Sequence, residues 1–234
     1  MARLLEEREK RARRNQLKGY RPHPKQREYH AAGAKIDGDG NERLFMAGNQ
    51  LGKSKAGGME WAIHLTGRYP DWWDGAEFKK PVLFWAASES GLSTRDTVQT
   101  QLVGPAELEE DWGTGAIPYD ALTDWDRASG GVPNLLDNVQ VRWGGGGDVQ
   151  AGTSICYFKT YEQGRRKWQG PTRDGVWFDE EPDADIYGEG RTRTQKGQRG
   201  VFVQLTFTPL MGMSKVVTQF LGQADVDVMT RGPA

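Results

Sequence analysis

The segment Ala47-Gly48-Asn49-Gln50-Leu51-Gly52-Lys53-Ser54 follows a short apolar run, Arg43–Ala47, and precedes a helix-competent stretch reaching Leu65. It fits the phosphate-loop pattern G-x-x-x-x-G-K-[ST], with Ala47 in the first glycine place. The chemistry requires this order of residues. A loop leaving a strand turns its backbone N–H groups inward around phosphate oxygens. Gly52 allows close backbone approach, Lys53 reaches the β- and γ-phosphates, and the Ser54 hydroxyl ligates Mg2+. The following helix aims its positive end at the anion. Alanine is tolerated at position 47 where φ is negative, and Gly48 is available for the tight turn. The competing reading is an ordinary strand-to-helix turn with an incidental GKS.

A phosphate loop calls for an acid at the end of a second apolar strand. Val176-Trp177-Phe178-Asp179-Glu180-Glu181 supplies it. Asp179 is placed to hold Mg2+, and Glu180 to polarise an attacking water, with Glu181 as its rival. The same acidic run would also serve as a plain turn or helix start. A third run, Val201–Phe207, ends in Thr206-Phe207-Thr208-Pro209. Hydroxyls at the C-terminal end of a parallel strand lie on the ligand face of such sheets, so Thr206 and Thr208 are candidates for sensing a γ-phosphate. Threonine is also simply a good strand residue.

The elements that must position these groups are apolar runs alternating with helical stretches. Strands are expected at Arg43–Ala47, Pro81–Ala87, Val139–Trp143, Ser154–Phe158, Gly175–Asp179 and Val201–Phe207, with a helix from about Ser93 to Leu102. Gly144–Gly147 suits a hairpin turn, and residues 104–138 read as long loops with short helices. This alternation predicts an α/β fold: a central, mainly parallel sheet flanked by helices on both faces. Lys+Arg is 31 against Asp+Glu 32, so net charge gives no argument for nucleic acid, but residues 1–28 carry ten Lys/Arg and four Glu. Residues 1–18 read as a basic helix or arm, solvated or touching phosphates or a partner subunit, stopped by Gly19 and Pro22-His23-Pro24. Residues 19–234 form the main domain. The single Cys156 and three scattered histidines show no structural-zinc spacing. No signal-peptide h-region opens the chain, and no apolar run is long enough to span a bilayer. Trp72–Trp73 read as packing residues rather than a base-stacking platform.

GNQLGKS, VWFDEEPD and LTFTPLMGMS, in this order, resemble the ATPase domain of the large terminase subunit of tailed bacteriophages, over about Tyr20 to Thr218. The resemblance implies a P-loop NTPase of the catalytic-glutamate branch that hydrolyses ATP with Mg2+. Lys53 and Ser54 match the phosphate-loop lysine and hydroxyl, Asp179 the metal-binding acid and Glu180 the catalytic glutamate. Thr206-Phe207-Thr208 matches the segment coupling hydrolysis to DNA movement. Tyr20-Arg-Pro-His-Pro-Lys-Gln26 is similar to the adenine-contacting region, Gln26 offering an amide and Tyr20 a ring; a surface turn is the alternative. The family's arginine finger often stands just before the second glycine of the segment Gln163–Gly170, where this chain has Gln169. Arg165 and Arg166 are then the candidates, either for that role or for DNA contact, against a solvated basic loop.

The resemblance further implies double-stranded DNA, a capsid portal, a small terminase subunit and a homo-oligomeric ring as partners, no membrane, and action in the host cytoplasm on the procapsid. A C-terminal lid from about residue 210, around Gly212–Leu221, would move on hydrolysis. The family's nuclease domain is expected to be absent from this chain. Two other readings use the same residues: a helicase or other DNA-stimulated translocase, and a non-hydrolysing nucleotide-binding scaffold at the portal.

Overall fold

The computed structural model describes residue 9 and residues 12–38, 40–144, 151–209 and 214–221. Seven strands form one sheet: β1 Gly40–Met46, β2 Leu83–Ser88, β3 Leu122–Arg127, β4 Leu136–Trp143, β5 Gly152–Thr160, β6 Gly175–Asp179 and β7 Val201–Phe207. Their order is β1-β7-β6-β2-β5-β4-β3. The pairs from β1 to β5 are all parallel, and β4 and β3 extend the sheet antiparallel. The expected α/β class and mainly parallel sheet are therefore observed.

β6 and β7 are buried at every position, as expected of parallel strands covered on both faces. The helices are α1 Gln16–Gly19, α2 Pro24–Ala32, α3 Lys53–Thr66, α4 over residues 91–102, α5 Arg165–Trp168, α6 Ala184–Thr194 and α7 Lys215–Leu221. α3 is buried on nearly all sides, and its Trp61 joins Phe84 of β2, Val98 of α4 and Phe202 of β7 in one core layer. The other layer joins Trp168, Ile186, Tyr187, Val217 and Phe220 to Phe178 and Val203 of the sheet. α4 contains a π-helical stretch, Thr94–Gln99.

Several local expectations change. Residues 104–138 hold a strand, β3, at the sheet's far edge. Its burial pattern is only half-covered, with Asp124 and Asp126 exposed, so its apolar period is weak. Pro24 starts a helix as well as ending the preceding segment: it is the first residue of α2, a favoured proline position. The basic arm reaches the body near its end, where the Arg14 guanidinium lies 4.2 Å from the Tyr119 ring centre; residues 1–8, 10 and 11 lie outside the described residues. So do residues 145–150, which include most of the expected hairpin turn, and residues 210–213 and 222–234 around the expected lid. The described part of that segment, α7, buries Val216, Val217 and Phe220 against the second layer. Trp72 and Trp73 pack with His30, Tyr69 and each other, as packing residues.

Trp61 is fully buried, with its ring centre 4.5 Å from that of Phe84. Trp61→Ala is expected to cost about 3–5 kcal/mol in urea or guanidinium unfolding. A loss below about 1 kcal/mol would mean that this layer does not carry the core.

Candidate nucleotide site

β1, β7 and β6 are adjacent and parallel, so their C-terminal ends open on one side of the sheet. The phosphate loop leaves β1 there and runs into α3. Two residues carry its left-handed backbone: Gln50 at φ 60° and Gly52 at φ 77°. Gly48 is not one of them, so the tight turn falls later than the sequence suggests, and Ala47 needs no glycine-like φ. At Gly52 the requirement is double, because a Cβ would also lie 2.8 Å from the Gln26 amide nitrogen. Lys53 is buried as a residue, and its ammonium is part-buried. It donates to the Gly48 carbonyl (2.7 Å) and to Thr208 Oγ1 (3.0 Å). The Thr208 hydroxyl in turn faces the Ala47 carbonyl and Asn49 Oδ1. Burial lowers the Lys53 pKa, while Glu180 and Asp179 pull it back up.

Asp179 stands opposite Thr206 in the β6–β7 register and has no exposed surface. Thr206 Oγ1 donates to Asp179 Oδ1 (2.7 Å) and accepts from the Trp177 indole (2.7 Å). The Thr206 hydroxyl is thus engaged behind the carboxylate and reaches the open end of the site only through Asp179. Asp179 Oδ2 is buried with no hydrogen-bond partner. Desolvation pushes the Asp179 pKa up to about 6, against the pull of Thr206, Ser54 and Lys53.

Glu180 follows at φ 70°. This costs backbone energy in a residue with a side chain, and such strain persists only where surroundings enforce it. Here the Glu180 N–H donates to the Thr206 carbonyl (3.1 Å), and the Tyr161 hydroxyl faces both the Glu180 carbonyl (2.8 Å) and the Asp179 carbonyl (3.1 Å). Burial raises the Glu180 pKa, with Asp179 and Glu89 adding to it. Glu181, the rival, has a buried Oε2 without a partner.

A cleft of about 1540 Å3 adjoins the loop, lined among others by Tyr20, Gln26, Phe45, Leu51, Gly52 and Met59. This exceeds the roughly 300–1,000 Å3 of ordinary small-molecule sites. Gln26 is a buried strut: its carbonyl accepts from the His23 N–H (2.9 Å) and its amide donates to the Gly52 carbonyl (2.9 Å). Tyr20 is also buried, with its hydroxyl 3.0 Å from His30 Nε2. The structure therefore brings Tyr20, Gln26, residues 47–54, Asp179, Glu180, Thr206 and Thr208 to one end of the sheet. The two arginines join no hydrogen bond or ion pair with Lys53, Asp179 or Glu180. Arg165 pairs with Glu189 (3.0 and 3.1 Å), and Arg166 is exposed with no partner among the described residues.

The profile of the family "Terminase large subunit, T4likevirus-type, N-terminal" matches residues 44–231. The large terminase subunit of Salmonella phage P22 is 48% identical, over 93% of this chain and 45% of its own length. The chain belongs to the large terminase subunit family. A second large terminase subunit, from Enterobacteria phage LP7, is 48% identical over 29% of this chain and 14% of its own length. The chain thus spans less than half the length of these relatives. Two solved forms of the large terminase ATPase domain of Thermus phage P74-26 superpose with TM-scores of 0.53 and 0.52, at 18% and 17% identity. They cover 82% of this chain and 67% and 66% of their own, which places this terminase chain in the same fold.

The Mg2+ expected in such a fold can be tested against the residues present. Mg2+ binds through one or two carboxylates and completes its shell with water and phosphate oxygens. A buried, unpartnered Asp179 oxygen beside Ser54 fits that requirement. Among the described residues no cluster of three or more His, Cys, Asp or Glu could enclose an ion by itself. Two contributors were not visible in the sequence, Tyr161 and Trp177. Tyr161 lies outside every motif, and Trp177 lies inside VWFDEEPD with nothing in its type to mark a polar role; each acts through a hydrogen bond to a strand end distant in sequence.

The Asp179 pKa of about 6 lies above the ordinary 3.8. The folded state therefore holds this proton more tightly than the unfolded state. Its contribution to stability is full below about pH 4 and is lost as pH rises through 6, a change of about 3 kcal/mol. Asp179→Asn is expected to be more stable than wild type at pH 7 without nucleotide or Mg2+, and to flatten that part of the profile in urea titrations. Matching slopes for the two proteins would show the carboxylate to be compensated.

Proposed function

We propose that the chain is a Mg2+-dependent ATPase domain whose turnover drives double-stranded viral DNA into a preformed capsid. The observation that carries this reading is the convergence of three features at neighbouring strand ends: a Lys53-bearing phosphate loop, the buried Asp179, and Glu180 on enforced backbone. The Lys53 ammonium exchanges the Gly48 carbonyl and Thr208 for the β- and γ-phosphate oxygens. Loop N–H groups and the start of α3 surround the same phosphates. Ser54 and Asp179 hold Mg2+, which supplies positive charge against the charge building on the phosphoryl oxygens. Glu180 receives a proton from the attacking water, and its raised proton affinity suits a general base.

Thr208 touches both Lys53 and the loop, and it follows β7 directly. It links the phosphate end to the segment leading to α7 and so suits the coupling role. Thr206 serves that role indirectly, by holding Asp179. Arg166, exposed and unpaired among the described residues, is the better candidate for an arginine finger. Arg165 would first have to leave Glu189. Either would act on a neighbouring copy in a homo-oligomeric ring that engages the portal, the small terminase subunit and DNA, in the host cytoplasm at the procapsid. No helix of the described residues is long and apolar enough to cross a membrane.

The test is Mg2+-dependent ATP hydrolysis at high protein concentration, with nucleotide binding measured in parallel. Glu180→Ala is expected to bind ATP as wild type does and to lose ~10²-fold or more in turnover. Lys53→Ala is expected to lose binding. If wild type binds but turns over no faster than Glu180→Ala even when crowded into an oligomer, the catalytic assignment fails and a nucleotide-binding scaffold takes its place.

A further inference from the structure

Away from the reacting end, the interior holds a charged network that hydrolysis does not use. Glu60 lies on α3 with no exposed surface, two helical turns after Lys53. Arg43 of β1 grips it with both terminal nitrogens, Nη2 to Oε1 (2.5 Å) and Nη1 to Oε2 (3.2 Å), and Nη1 also donates to the Tyr29 carbonyl (3.0 Å). His30 of α2 donates from Nδ1 to Glu60 Oε2 (2.7 Å), and His64 Nε2 lies 3.4 Å from Oε1. The carboxylate only accepts, so Nδ1 of His30 carries a proton, and Nε2 pairs with the Tyr20 hydroxyl at 3.0 Å. Tyr20 stands in the connection between α1 and α2, where no regular element fixes it. Its ring meets His30 and Trp72 edge-on, at 5.9 and 5.8 Å between centres, and also lines the cleft beside the phosphate loop.

One buried carboxylate therefore ties together the strand that feeds the loop, the helix that begins at Lys53, and an aromatic wall of the cleft. Isolated, it would be a costly buried charge. It persists because Arg43, His30 and His64 each aim a nitrogen at it. We infer that His30 and Glu60 are positioning residues for nucleotide recognition: through the Tyr20 hydroxyl they hold the aromatic wall at the base end of the cleft in register with the phosphate-binding end. The inference rests on the nucleotide reading above and adds to it a division of labour. The loop binds phosphates whether or not the network is intact, whereas the base contributes only while Tyr20 is held.

The probes are ATP, which has a base, and inorganic tripolyphosphate, which has none. Their affinities are measured with wild type, Tyr20→Phe, His30→Phe and the double variant. Tyr20→Phe deletes one hydroxyl and is the least disruptive to folding; His30→Phe keeps a ring among Trp72 and Trp73. Each single variant is expected to weaken ATP about threefold to tenfold, the scale of one hydrogen bond, and to leave tripolyphosphate within twofold. The double variant is expected to be no worse than the weaker single one, because both break the same link. The inference is overturned if either ratio of ATP to tripolyphosphate affinity stays at the wild-type value, or if both ligands weaken alike. Wild type that binds both probes equally also overturns it while leaving the phosphate-loop reading intact. Wild type that binds neither sinks that reading itself.

Discussion

Asp179 is a carboxylate without exposed surface, with one oxygen hydrogen-bonded and the other bare, and the reacting end of the site is arranged around it. A buried charge in that condition is expensive, and burial answers by raising its pKa to about 6. The fold accepts the cost because Asp179 is fixed from behind. Thr206 lies opposite it in the parallel register, and Trp177 orders the threonine hydroxyl. The next residue inherits the geometry. Glu180 is carried at φ 70° by a carbonyl of β7 on one side and Tyr161 on the other. A site built this way is least comfortable when empty, and a cation with phosphates supplies what its groups lack.

The same economy of polar groups runs behind the loop. Gln204 of β7 accepts from Tyr29 and donates to the Gly57 carbonyl in α3, at a point where a Cβ on Gly57 would collide with the Trp177 ring at 2.8 Å. Gln26 props the Gly52 carbonyl. Glu60 ties α2, β1 and α3 to one another. Because these links are hydrogen bonds of limited reach rather than apolar contacts, they specify spacing and register. They set the position of the helix that presents Lys53 relative to both ends of the cleft.

The parts legible in the sequence were those in which chemistry and order share a few consecutive residues. The loop at 47–54 and the pair Asp179-Glu180 each follow an apolar run, so strand end and functional group could be read together. Thr208 was legible for the same reason. Thr206 was found, but its pairing with Asp179 was not: that contact depends on the register between two strands, which aligns residues 27 positions apart in sequence. Gln26 and Tyr20 were marked by resemblance, yet their hydrogen bonds to Gly52 and His30 follow from how α2 docks. β3 escaped because none of its residues is fully buried and Thr123, Asp124, Asp126 and Arg127 are all exposed, which leaves little apolar period to detect. The Glu60 network is drawn from three separate elements and the connection that carries Tyr20. Its only local signals were an arginine inside an apolar strand and a glutamate inside a helix otherwise fit for the core.

The most direct measurement is the carboxyl-carbon NMR titration of Asp179, assigned by comparison with Asp179→Asn, in the free protein and with Mg2+ and ADP added. The predicted result is a pKa of about 6 in the free protein that falls clearly when Mg2+ and ADP bind together, because the bare oxygen then faces positive charge. A free-protein pKa near the ordinary 3.8, or a raised pKa that Mg2+ and ADP leave unchanged, would contradict the account.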